Sequence, residues 1–179
     1  MNKVHIIGSV GSGKTTLAKK LSKKLDIPYY ELDNVVWTRT PNGDIRNSPE
    51  RRDTILNDIV KTDQWIIEGV HHKWIMPSFK EADLIIFLDT PYSKRIYRII
   101  KRFFLQRLKM ESSHYKPTFE IFFKMFKWNR SFEMESKPDI LLMLEEYQRK
   151  LLVLQNNDLQ WIGSNLKVWF PNNEKAKSL

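Results

Sequence analysis

One stretch of eight residues, Gly-Ser-Val-Gly-Ser-Gly-Lys-Thr from Gly8 to Thr15, constrains this chain more than any other. The glycines let the backbone curl tightly and turn its amide groups inward, where they can hold the oxygens of a phosphate. An apolar stretch over residues 3–7 precedes it, and leucines recur every fourth residue after it. The sequence therefore predicts a phosphate-binding loop between a buried strand and a helix, whose N-terminus favours anions.

The residues of this phosphate loop (Gly8–Thr15) have separate expected roles. The Lys14 ammonium would reach the β- and γ-phosphates of ATP or GTP, and the Thr15 hydroxyl would ligate Mg²⁺. Thr16 could bond to an α-phosphate oxygen. The expected nucleotide-binding residues of the loop are Gly8, Ser9, Val10, Gly11, Ser12, Gly13, Lys14, Thr15 and Thr16. A dinucleotide fingerprint does not fit, because it would need a glycine at position 16.

Strand and helix patterns alternate along the rest of the chain. We expect further strands at 29–33, 65–69, 82–89 and 159–162, helices at 49–61, 91–108, 118–130 and 138–155, and a turn-rich loop at 38–48. This alternation predicts an α/β fold with a doubly wound parallel sheet, in which ligands gather at the carboxyl ends of the strands. A length of 179 residues suits one domain spanning 1–179.

Polar side chains follow three of the predicted strands. Asp33 could bind or deprotonate a phosphoryl acceptor, or could be a turn or capping residue. Glu68 could hold Mg²⁺ through water, accept a proton, or be a solvated acid at a strand end. Asp89 could hold Mg²⁺ or cap the helix after it. His71 and His72 lack a third metal ligand at suitable spacing, so substrate contact or a plain loop is the better interpretation.

The whole chain has a net charge of +9. Residues 94–130 carry 11 Lys and Arg against 2 Asp and Glu, so this segment accounts for all of the excess positive charge. Such a segment can attract nucleic acid, an acidic membrane surface or a polyphosphate. Within it, Arg95, Arg98 and Arg102 share one helix face. They could close over a transferring phosphoryl group as part of a lid, or form an ordinary solvated basic face. Arg98 and Arg102 are the favoured candidates.

A set of motifs in fixed order resembles a known family. It comprises Ile6-Ile7-Gly8-Ser9 with the rest of the phosphate loop, Leu32-Asp33-x-x-x-Trp37, Trp65-Ile66-Ile67-Glu68-Gly69 and Ile86-Phe87-Leu88-Asp89-x-Pro91. The chain is similar over about residues 1–165 to the bacterial DNA topology modulation proteins, which are P-loop NTPases related to adenylate, shikimate and nucleoside kinases. The resemblance implies strand order 2-3-1-4-5, ATP as donor, lid arginines, and Ser164 and Asn165 near the adenine.

These observations together predict an ATP-dependent phosphotransferase, a small-molecule or nucleotide kinase, with Mg²⁺ and an acceptor that the sequence does not identify. The alternatives are a nucleotide-regulated DNA-binding protein that uses the basic segment, and an ATPase switch without an acceptor. The chain has no cysteine, which suits the reducing cytoplasm. No apolar run approaches the roughly 20 residues that span a bilayer, so we expect no membrane partner.

Overall fold

The computed structural model describes residues 2–41, 43–108, 110 and 118–156. Its strands are β1 (Lys3–Gly8), β2 (Tyr29–Glu31), β3 (Trp37–Thr38), β4 (Ile45–Arg46), β5 (Trp65–Gly69), β6 (Leu84–Leu88) and β7 (Leu151–Leu154). Five of them form a parallel sheet in the order β2-β5-β1-β6-β7, and β3 pairs antiparallel with β4 in a separate hairpin. Counting only the parallel strands, this is the order 2-3-1-4-5, so the predicted fold and strand order are confirmed.

Helices flank the sheet. They are α1 (Lys14–Leu25), α2 (Leu32–Val36), α3 (Pro49–Lys61), α4 (Met76–Glu81), α5 (Tyr92–Arg107), α6 (Phe119–Ser131) and α7 (Lys137–Leu144), with a π-helical segment (Phe132–Ser136) before α7 and a 3₁₀ segment (Glu145–Lys150) after it. Ser48 and Thr118 cap α3 and α6, since their hydroxyls accept from the amides of Arg51 and Ile121. Within the described ranges, no helix is both long enough and apolar enough to cross a bilayer.

The core has two layers because consecutive side chains of a strand lie on opposite faces of the sheet. On one face, Val4 and Ile6 of β1 pack with Leu17 and Leu21 of α1. On the other face, the neighbouring Ile7 packs in a cluster that reaches α2, α3, α4 and α7. Because helices cover both faces, β1, β5 and β6 are buried almost throughout, as the continuous apolar run of β6 indicated.

Three predicted elements differ in the structure. Strand β2 ends at Glu31, and Asp33 lies in the short helix α2 and not at a strand end. The 38–48 loop contains β4, which pairs with β3. The fifth strand of the sheet is Leu151–Leu154, inside the segment expected to be helical, whereas 159–162 lies outside the described residues. Residues 151–154 are all apolar, and their pairing with β6 overrides a helical preference that is only local.

Candidate functional site

The phosphate loop has the tight, left-handed conformation that its glycines allow. Gly11 and Gly13 have φ angles of 75° and 98°, which side chains with a Cβ rarely adopt. A Cβ on Gly11 would also lie 3.0 Å from the carbonyl oxygen of Arg95 in α5. Helix α1 starts directly after Gly13 and has no side-chain cap at its N-terminus. The loop therefore presents the positive end of α1 at the carboxyl edge of β1, where an anion is favoured.

Side chains from outside the loop hold its backbone. The carbonyl oxygen of Ser12 accepts from the Thr90 hydroxyl at 3.1 Å and from the Arg98 guanidinium at 2.6 Å. Because the carbonyl and the next amide of a trans peptide point in opposite directions, these bonds direct the Gly13 amide away from Arg98. The Lys14 ammonium donates to the carbonyl of Ser9 at 3.0 Å, so it lies back over the loop. Such contacts preorganise the loop for phosphate.

Helix α6 also reaches the loop, through Asn129. The Ser9 hydroxyl donates to the side-chain oxygen of Asn129 at 3.1 Å, and both residues are 0% exposed. Within the described part of the chain, the Asn129 amide nitrogen and the Ser12 hydroxyl are buried without a hydrogen-bond partner. Buried polar groups of this kind are costly unless something satisfies them. Ser9, Ser12 and Asn129 thus form a buried polar support beneath the loop.

Glu68 meets Thr15 beside the loop. The Thr15 hydroxyl donates to the Glu68 carboxylate at 2.6 Å, and Glu68 is only 4% exposed. Burial raises the pKa of Glu68, while the Lys14 charge and the Thr15 hydrogen bond oppose the rise. The burial rules out a solvated strand-end acid. One carboxylate and one hydroxyl fit Mg²⁺, which in phosphate sites takes few protein ligands and completes its shell with phosphate and water.

Asp33 lies across from this pair, in α2. Its carboxylate is 3.5 Å from the ring nitrogen Nε2 of His71, and its side chain is 66% exposed. The hydrogen bond with His71 is the main cause of the lowered pKa of Asp33, and the charge of Lys14 adds to it. Burial lowers the pKa of Lys14, and Glu68 and Asp33 oppose that shift. Lys14, Glu68 and Asp33 therefore lie within electrostatic reach of one another.

The three arginines of α5 are not a solvated basic face. Arg95 is buried, pairs with Glu133 and lies over the ring of Phe132. Arg98 contacts the phosphate loop directly, and burial lowers its pKa. Arg102 is half-buried, has a 3.5 Å contact with the Met125 sulfur, and lowers the pKa of Lys14 through its charge. Arg98 thus contacts the loop and Arg102 lies within electrostatic reach of Lys14, whereas Arg95 joins α5 to the π-helical segment.

Asp89 has a different neighbour from the one expected. Its carboxylate is 2.6 Å from the Lys137 ammonium, and the cap of α5 is Pro91. An aspartate paired with lysine is a weaker candidate for Mg²⁺ than Glu68, and it does not cap the helix. Of the other expected nucleotide contacts, Thr16 is exposed on α1. Ser164 and Asn165 lie outside the described residues.

Sequence reasoning missed the residues that hold the loop from a distance. Asn129 is 120 positions from its partner Ser9, and Thr90 is 78 positions from Ser12. Nothing in a local pattern links such pairs. The signal that could have been used is Asn129 itself. A polar residue on the otherwise apolar inner face of a helix is rarely left without a hydrogen-bond partner.

Fold and site together define a P-loop nucleotide-binding protein. Residues 4–103 match the family described as AAA domain, more than half of the chain, and the protein belongs to that family. The match runs from β1 through the phosphate loop, β5 and β6 into α5.

Two curated relatives have similar sequences. The chain is 33% identical over 101 residues to the uncharacterized protein YqaC of Bacillus subtilis, covering 56% of each chain. It is 31% identical over 107 residues to a shikimate kinase of Clostridium botulinum, covering 53% of this chain and 64% of the relative. The chain thus spans less than two thirds of the length of either curated relative.

The fold extends to solved structures with little sequence identity. A shikimate kinase from Acinetobacter baumannii, solved with shikimate, superposes with a TM-score of 0.55 at 15% identity over 97% of this chain and 96% of that one. An Aquifex aeolicus shikimate kinase gives a TM-score of 0.51 at 16% identity over 96% and 97%. These likenesses confirm the kinase-like P-loop fold.

Proposed function

We propose that the protein is an ATP-dependent phosphotransferase that moves the γ-phosphoryl group of Mg·ATP to a small-molecule or nucleotide acceptor. The observation that carries this proposal is the meeting of Thr15 with Glu68 beside the phosphate loop, with Asp33 across from them. A bare nucleotide-binding loop needs no second carboxylate on the acceptor side. A kinase needs both a metal-holding side and an acceptor-holding side.

On the donor side, the loop amides, the α1 N-terminus and Lys14 hold the phosphates. Thr15 and Glu68 are the residues that would hold Mg²⁺, which when bound neutralises charge on the phosphate oxygens. For the described residues, no cluster of three or more acidic, histidine or cysteine side chains could hold a metal ion. This agrees with a magnesium ion that arrives with its nucleotide and keeps several waters.

During transfer, negative charge spreads over the oxygens of the γ-phosphoryl group. We assign the stabilisation of this charge to Lys14, which lies on the loop, and to Arg102, whose charge reaches Lys14. Their charges stabilise the transition state more than the ground state when they are positioned beforehand. The Arg98 contact with the Ser12 carbonyl keeps this cation at the loop.

On the acceptor side, Asp33 orients the attacking hydroxyl and accepts its proton. Because the pKa of Asp33 is lowered, the carboxylate stays ionised and able to accept a hydrogen bond across the working pH range. A loose phosphoryl-transfer transition state needs an oriented nucleophile more than a strong base, so a low pKa is no obstacle. His71 supports the Asp33 carboxylate, and the hairpin β3–β4 and the Trp74 ring lie on the same side of the site.

The test is to follow the γ-phosphate. The protein is incubated with Mg·ATP labelled at that phosphate and with nucleosides, nucleoside monophosphates, sugar acids and other hydroxyl metabolites. We expect transfer to one acceptor class, lost in Lys14→Ala and retained in Lys20→Ala, an exposed lysine on the same helix. Binding of ATP without transfer to any acceptor would overturn the proposal.

The two alternatives from the sequence give different results in the same experiment. An ATPase switch would release labelled phosphate to water at a rate that no acceptor changes. A nucleotide-regulated DNA-binding protein would bind DNA with an affinity that falls steeply with salt, because phosphate contacts release counterions.

A further inference from the structure

Helix α5 is apolar on two opposite faces. Its inner face buries Ile99 and Phe103 in the protein. Its outer face carries Tyr97, Phe104 and Leu108, the last at the C-cap, which are 64%, 57% and 67% exposed. Spacings of seven and four residues place these three side chains along one line of the helix. The core explains the inner face, but it does not explain the outer one.

Helix α6, which packs beside α5, also carries exposed apolar side chains. Phe119 and Phe123 are one turn apart and both are more than half exposed. The two helices are joined by rings, since Phe103 of α5 lies 5.2 Å from Phe119 and 4.3 Å from Phe122 between centroids. We define the outer face as six of the exposed apolar side chains of the pair, four from α5 with its C-cap and two from α6: Tyr97, Ile100, Phe104, Leu108, Phe119 and Phe123. Clustered exposure of this kind marks an interaction surface.

The charge on these two helices is almost entirely positive. Their exposed cations are Lys94, Lys101, Arg107, Lys124, Lys127 and Arg130. The only carboxylate in α5 and α6 is Glu120, which is already paired with Lys124 at 2.6 Å. The outer face is therefore apolar with cations at its sides, and its partner must offer both an apolar phase and negative charge.

We propose that the outer face of α5 and α6 is a docking site for the surface of an anionic lipid bilayer. The apolar side chains would enter the boundary between headgroups and acyl chains, and the flanking cations would contact anionic headgroups. Nucleic acid fits less well, because aliphatic Ile100 and Leu108 lie on the same side of α5 as the rings and offer no face on which a base can stack. A second copy of this chain would bring like charges together.

This proposal revises one expectation from the sequence. We expected no membrane partner because no apolar run is long enough to span a bilayer. A surface site needs no such run, since a helix already folded against the protein can present one apolar face to the headgroup region. The proposal is independent of the kinase proposal, because the phosphate loop contacts the inner side of α5 through Arg98.

The experiment is co-sedimentation of the full chain with vesicles. One set is phosphatidylcholine alone and the other contains about one-third phosphatidylglycerol, each at low and at physiological salt. We expect roughly tenfold or stronger preference for the anionic vesicles, decreasing with salt but not vanishing. Equal binding to neutral vesicles, or no binding to either, would overturn the proposal.

The double variant Phe104→Ser, Leu108→Ser tests the surface itself. It should lose vesicle binding by roughly tenfold or more while ATP binding and the unfolding temperature stay unchanged, because both side chains are exposed. The matched control is Leu142→Ser, another exposed leucine, which lies on α7. Vesicle binding that survives the double variant would contradict the site. The site would also be contradicted if the parent did not bind vesicles and the double variant instead lost binding to single-stranded DNA, or lost a dimer that light scattering detects in the parent.

Discussion

The proposed donor side and the proposed acceptor side of the site are built differently. Around the phosphate loop, Ser9, Ser12, Glu68, Thr90 and Asn129 are all buried. On the acceptor side, Asp33 is two-thirds exposed, and the nearby hairpin carries Arg39 and Asp44 in an exposed ion pair. Buried side chains therefore hold the phosphate loop in place, whereas the side with Asp33 is open to solvent.

This difference follows from what each side has to recognise. The polyphosphate of a nucleotide is the same in every reaction, so the protein can fix its cradle with buried hydrogen bonds. The acceptor varies between related enzymes, and its specificity depends on a few polar groups in loops. We therefore expect substitutions on the donor side to change ATP binding, transfer or both with any acceptor, and those on the acceptor side to change only what depends on the acceptor.

The largest effect is expected for Lys14→Ala. Removing this cation should lower kcat/KM roughly 10³-fold, because it stabilises charge that develops in transfer. The measurement is the steady-state rate with the acceptor found in the labelling experiment, against Lys20→Ala. If Lys14→Ala kept more than a tenth of the activity, the phosphate loop would not be the catalytic part of the site.

The next effect is expected for Asp33→Asn. The amide cannot accept a proton, so kcat should fall roughly 100-fold while the affinity for ATP stays unchanged. Asp44→Asn, which removes an exposed carboxylate on the nearby hairpin, is the matched control and should change kcat less than twofold. A parallel loss of ATP affinity in Asp33→Asn would erase the distinction between the two sides.

Glu68→Gln should weaken Mg²⁺ binding. The Mg²⁺ concentration needed for half-maximal activity should therefore rise roughly 10- to 100-fold. The parent should also lose activity as the pH falls through the raised pKa of Glu68, because the carboxylate then gains a proton. Asp33 does not cause this acid limb, since its pKa is lowered. The limb should therefore be absent from the pH profile of Glu68→Gln.

The same substitution should act on stability with the opposite sign. A folded-state pKa above the unfolded value means that folding favours the protonated form, so the ionised carboxylate costs stability at neutral pH. Glu68→Gln should then raise the unfolding temperature at neutral pH. The gain should disappear once the pH is below the ordinary pKa of glutamate. An unfolding temperature that drops at neutral pH would contradict the burial argument.

The smallest effect is expected for Asn129→Ala. It leaves the buried Ser9 hydroxyl without its acceptor and loosens the loop, which should raise KM for ATP roughly tenfold with kcat little changed. Calorimetric titration with ATP gives the affinity directly, and Lys127→Ala on the exposed side of α6 is the control. Unchanged ATP affinity in Asn129→Ala would mean that α6 does not help to hold the donor side.

Most of the donor side could be predicted from the sequence. The loop needs glycines with positive φ and a strand and helix around it, and these requirements are local enough to be visible in neighbouring residues. The acidic residues that follow the strands were found for a similar reason, because the carboxyl ends of parallel strands meet at one edge. The strand at 151–154 was missed, since this short apolar run lies within a segment with a helical pattern and only its pairing with β6 identifies it as a strand.

The sequence by itself determined that this protein has a phosphate loop in a parallel α/β sheet, with Lys14, Thr15, Glu68 and Asp33 as candidates. The tertiary structure decided which neighbours the candidate residues have. Glu68 accepts a hydrogen bond from Thr15, and Asp89 pairs with Lys137. Arg95 is buried and pairs with Glu133, whereas Arg98 contacts the loop. Asn129 accepts a hydrogen bond from Ser9. The physical reason is distance along the chain: local patterns report local geometry, whereas hydrogen bonds between residues about 50 to 120 positions apart exist only once the sheet and helices are packed.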